Sequence, residues 1–151
     1  MLDRMAPRDL FDVAQLPQLA PEAWSSPSFR PLVIALSGAL PHPLYTYSRD
    51  RFQPLSTAQV RHQLHPMLIQ GQEPTAEELL ATAWPRVEPF LHLEEAEREF
   101  VDRLQQGELQ PELLFPTDPP QVERIRRHPV LLWKAQNALL HRRRSHPRQG
   151  K

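Results

Sequence analysis

Two carboxylates, Asp9 and Asp12, stand three residues apart in a stretch otherwise suited to burial, Ala6-Pro7-Arg8-Asp9-Leu10-Phe11-Asp12-Val13-Ala14-Gln15-Leu16. Pro7 suits a first helical turn, where its missing N–H is not needed. Asp9 then falls in that turn, where the helix dipole favours negative charge. Leu10, Val13 and Ala14 share a face at helical spacing, and Phe11 widens it. The spacing of Asp9 and Asp12 puts both acids on a common side. The stretch therefore reads as a short, one-side-buried helix that projects two carboxylates together. Its plain structural reading is a negatively biased helix start.

Other residues with chemical potential are weaker candidates. His62 and His65 lie three apart on a helical segment, but a metal site needs further ligands and no His/Asp/Glu pattern supplies one. Two solvated histidines, and no metal, are expected. Charge is uneven within a formal net of zero. From Pro119 to Lys151 there are nine Lys/Arg and a single acid, Glu123. Arg142, Arg143 and Arg144 end a helical pattern, where positive charge complements the dipole. The same arginines are candidates for weak, sequence-independent RNA contacts through phosphates. Only Lys134 and Lys151 are lysine among the 18 basic residues.

The elements that must hold these residues are helical. Phe29, Leu32, Val33, Leu36 and Leu40 follow the helical template, predicting a helix from about Ser28 to Gly38. Pro17 and Pro21 are expected to close the first helix and open a loop that holds Trp24. Tyr45-Thr46-Tyr47 reads as a short extended piece. Ser56-Thr57-Ala58-Gln59 and Thr75-Ala76-Glu77-Glu78 are capping boxes, each opening a helix. Pro85 is expected to kink or stop the second of these. Glu94 to Gln106 is the firmest helix, with Phe100 and Leu104 four apart, the pairs Glu94–Arg98 and Glu99–Arg103 on its surface, and Gly107 as its C′ residue. Leu113, Leu114 and Phe115 form an apolar wedge. Asp118-Pro119 starts a short helix that turns Val122 and Ile125 inward. The last helix spans about Pro129 to Arg142, with Leu131, Leu132, Ala135 and Leu139 on one face, and the tail from Ser145 is expected to be disordered.

A chain of 151 residues with 40% hydrophobic and 24% charged residues is long enough for a real core and is globular in composition. The 18 prolines fall between periodic segments, where they start and stop helices. The fold class is all-α: an irregular bundle of six to eight short helices with proline-rich connections. Without cysteine there is no disulfide and no thiolate site, which agrees with a reducing compartment. Met1-Leu2-Asp3-Arg4 leads into no apolar run, and the longest aliphatic run is far below a membrane span, so a cytoplasmic protein is expected.

Arg8-Asp9-Leu10-Phe11-Asp12-Val13 resembles the last conserved motif of the AbiEii/AbiGii nucleotidyltransferase toxin family, from bacterial abortive-infection, phage-defence and toxin–antitoxin systems. Glu97-Arg98-Glu99-Phe100, the run from Gly107 to Leu114 and the run from His128 to Asn137 resemble that family's C-terminal region, so the similarity covers about residues 6 to 140. The resemblance implies transfer of a nucleotide from a nucleoside triphosphate, with Mg²⁺, to an acceptor such as tRNA. It marks Asp9, which follows Arg8 directly, and secondarily Asp12, as catalytic carboxylates. The family's Gly-Gly or Gly-Ser turn and Asp-x-Asp pair would precede this motif and have no match here. The chain is accordingly expected to be inactive alone and to take no cofactor. Residues 1–20 would be the remnant of the nucleotidyltransferase domain, 21–144 a C-terminal helical domain and 145–151 the tail. Expected partners are an antitoxin or a separately encoded nucleotidyltransferase half, RNA through the C-terminal arginines, and a second copy through residues 1–16. The alternative is a non-catalytic helical module that binds RNA or a partner protein.

Overall fold

The computed structural model describes Leu2 and residues 6–52 and 55–145. Among these residues there are eight α-helices and no strand, so the fold is all-α as the periodicity predicts. In chain order the helices are α1 (Pro7–Leu19), α2 (Pro21–Trp24), α3 (Phe29–Ser37), α4 (Thr57–Gln63), α5 (Ala76–Val87), α6 (Glu95–Gln105), α7 (Pro119–Arg126) and α8 (Pro129–Ser145). Short 3₁₀ turns join several of them. No described helix is long and apolar enough to cross a membrane. The chain forms two compact units, Met1–Phe29 with Tyr45–His92 and Arg30–Leu44 with Leu93–Lys151.

The first unit is organised on α1, which packs against α5, α4 and α2. Pro7 stands at N1, and Leu10 and Ala14 are buried with it. Their partners are Val60 and Leu64 of α4 and Leu79, Ala83 and Trp84 of α5, with Leu2, Phe11 and Leu91 packed at the edge. Both capping boxes form. Ser56 Oγ accepts the Gln59 N–H at 3.2 Å while Gln59 Oε1 accepts the Ser56 N–H at 2.9 Å. Thr75 Oγ1 and Glu78 exchange the equivalent bonds at 3.1 and 2.9 Å. The Thr75 N–H and hydroxyl, both donating to Glu78, hold its carboxyl below the usual carboxylate range. Trp24, Phe29 and Phe90 form an aromatic cluster with ring centroids 5.0 to 6.2 Å apart.

The prolines of this unit act differently from the sequence reading. Pro17 lies inside α1, which runs on to Leu19 and is closed by the Ala20 N–H on the Leu16 carbonyl at 2.9 Å. Pro85 lies inside α5, which continues to Val87, so of the two expected outcomes, a kink or a stop, the stop does not occur. Each is in the final turn, where a proline forfeits one backbone bond but has few following residues to misdirect. Pro21 opens α2 at its N1 position rather than starting a loop. Tyr45-Thr46-Tyr47 is not extended, since a 3₁₀ turn covers Leu44–Thr46 and Tyr47 is buried.

The second unit holds α3, α6, α7 and α8, with α8 against α6 and α7. Glu97, Phe100, Val101 and Leu104 form the buried face of α6. An Arg30–Glu97 fork ties α3 to α6, with Nε to Oε1 and Nη2 to Oε2 both at 2.7 Å. The Glu94 N–H also donates to Glu97 Oε2, at 2.8 Å. The Glu97 hydrogen bonds hold the Arg30 guanidinium above its ordinary pKa, against the opposing effect of burial. Leu114 and Phe115 are buried, as the wedge requires, and Val122 and Ile125 are buried on α7. Asp118 Oδ1 caps α7 by accepting the Gln121 N–H at 3.0 Å. On the surface of α6, Arg103 pairs with Glu99 at 2.7 Å and Arg98 with Asp102 at 3.9 Å.

The end of α6 shows why glycine stands there. The Gly107 N–H donates to the Leu104 carbonyl and the Glu108 N–H to the Arg103 carbonyl, the bond pattern of a left-handed helix stop. Gly107 has φ +92°, and a Cβ there would lie 2.3 Å from Leu139 Cγ. Gly71 has φ +89° with open space around it. Comparing the two glycines separates backbone strain from crowding. Gly71→Ala should cost about 1–2 kcal/mol for the left-handed backbone alone. Gly107→Ala should cost about 1–3 kcal/mol more, because Leu139 has to move, and chemical denaturation of both variants measures the difference.

Glu78 gives a pH prediction. Its folded pKa is lowered, so its contribution is present above the unfolded pKa and is lost as pH falls through the folded value. Glu78→Gln keeps an acceptor for Thr75 but does not titrate. Stability measured below pH 4.5, the unperturbed value, should fall less steeply in the variant than in the wild type.

Candidate functional site

Of the acidic candidates, Asp12 lies on the side of α1 turned away from its buried residues and Asp9 at the flank of the buried face. Pro7, Leu10 and Ala14 face the core of the first unit, Asp12 and Arg8 are exposed, and Asp9 is half-buried. With 100° per residue, Asp9 and Asp12 are 60° apart on the helix; Asp12 opposes Leu10 and Ala14, whereas Asp9 lies at the flank of the buried face, with Oδ2 buried. Both residues stand on α1, as the spacing implies, one partly buried and one exposed. Of residues 1–16, the stretch expected to meet a second copy, Leu2 and Phe11 are half-buried and pack on the core edge. Met5 lies outside the described residues.

Mg²⁺ is implied by the resemblance, and carboxylate oxygens are the donors it prefers. Among the described residues, however, no group of three or more His, Cys, Asp or Glu is placed to hold a metal ion. Asp9 and Asp12 do not by themselves fit a metal centre.

The histidines correct the expectation of a solvated pair. His62 is exposed, but His65 Nε2 donates to the Pro74 carbonyl at 3.0 Å. It closes the loop between α4 and α5, and the half-buried ring is a structural tie.

The basic candidates belong to the second unit. Arg142 is exposed near the end of α8, while Arg143 and Arg144 belong to the same final turn and their side chains lie outside the described ones. Arg142 borders an open groove whose other walls include Gln105 and Gln106 of α6 and Trp133, Lys134, Asn137 and His141 of α8. Lys134 Nζ donates to the Leu40 carbonyl at 2.8 Å, and burial lowers its pKa. Nearby on α7, Arg126 pairs with both Glu112 and Glu123, and Arg127 with Glu123 at 2.6 Å.

The sequence reading missed the groove residues and misplaced part of α8. Leu131 and Ala135 are buried, but Leu132 and Leu139, assigned to the same face, are exposed with Trp133 and Leu140. The four assigned positions spread over 100° of helix, and only the pair four residues apart lies at the centre of the contact. The recurrence of Leu132-Trp133 at Leu139-Leu140, seven residues on, was the available signal for a second face.

Comparison with protein-family models, curated proteins and solved structures finds no match to this chain.

Proposed function

We propose that the chain is the helical part of a nucleotidyltransferase toxin, which sets the acidic side of α1 against a nucleotide-binding half supplied by another segment or polypeptide. The reaction served would be transfer of a nucleotide from a nucleoside triphosphate to an acceptor such as tRNA. The observation that carries this reading is the seating of α1, whose apolar side is buried in the first unit while Asp12 is exposed on the opposite side and Asp9 is half-buried at the flank between them. The ordered resemblance of the remaining segments supports it.

The test is reconstitution. Labelled nucleoside triphosphates, Mg²⁺ and total tRNA should give no incorporation with this chain alone. Incorporation should appear when the polypeptide encoded immediately upstream is added. Asp9→Ala should then abolish most of it, and Asp12→Ala should reduce it less. Incorporation by the reconstituted pair that ignores both substitutions would reject the role given to α1.

A further inference from the structure

We draw no further inference here: the strongest candidate, the open surface groove that α8 forms with the end of α6 beside the exposed Trp133, carries nothing, because its Lys134 already donates to the Leu40 carbonyl and nothing in the structure shows what covers it.

Discussion

Burial of Leu10 and Ala14 among the side chains of α4 and α5 fixes the rotation of α1 about its own axis. A turn of one residue, 100°, would withdraw Leu10 from that contact and carry Asp12 toward it. Exposing a buried leucine costs about 1.5–3 kcal/mol, and burying an unpaired carboxylate costs more. Asp12 is thus held on the outer side by apolar packing on the inner one, with Asp9 at the boundary between them. Their separation of 60° follows from helix geometry alone. The capping boxes at Ser56 and Thr75 start the two helices that make the other wall of this core, so the orientation of α1 also rests on hydrogen bonds remote from its own sequence.

The second unit is held differently. Arg30–Glu97 places a bidentate ion pair between α3 and α6, with the Glu97 side chain 10% and that of Arg30 32% exposed. Such a pair fixes register more than it adds stability, because desolvation offsets much of the attraction. Close approach does the rest. A Cβ on Gly38 would lie 2.3 Å from Leu104 and 3.2 Å from Leu131, so the end of α3 meets α6 and α8 at a distance only glycine allows. Lys134 adds a tether from α8 to the Leu40 carbonyl. These contacts centre on Leu131 and Ala135, and the neighbouring Leu132, Trp133, Leu139 and Leu140 stay exposed.

What could be read from the sequence was what local rules determine. The capping boxes, the Gly107 stop, the Asp118 cap and the buried face of α6 each depend on residues within about one turn of each other. So does the common side of Asp9 and Asp12. Proline was harder to read, since its effect depends on how much helix follows it, and both Pro17 and Pro85 fall in final turns. The inner face of α8 was misassigned because Leu131, Leu132, Ala135 and Leu139 all satisfy a helical template. Which of them is covered is decided by α6 and α7, from distant parts of the chain. The His65–Pro74 tie and the Lys134–Leu40 bond, 94 residues apart in sequence, have no local signature at all.

The central claim, that the outer side of α1 meets a nucleotide-binding half, can be measured without relying on activity. The chain contains no cysteine, so one introduced thiol can carry a nitroxide at a single position. Arg8 is exposed beside Asp12, and Thr82 is exposed on α5. With the upstream-encoded polypeptide added, the electron paramagnetic resonance spectrum of the Arg8→Cys label should broaden to that of an immobilised nitroxide, while the Thr82→Cys label stays mobile. An Arg8→Cys label whose mobility does not change when the two polypeptides bind would contradict the account.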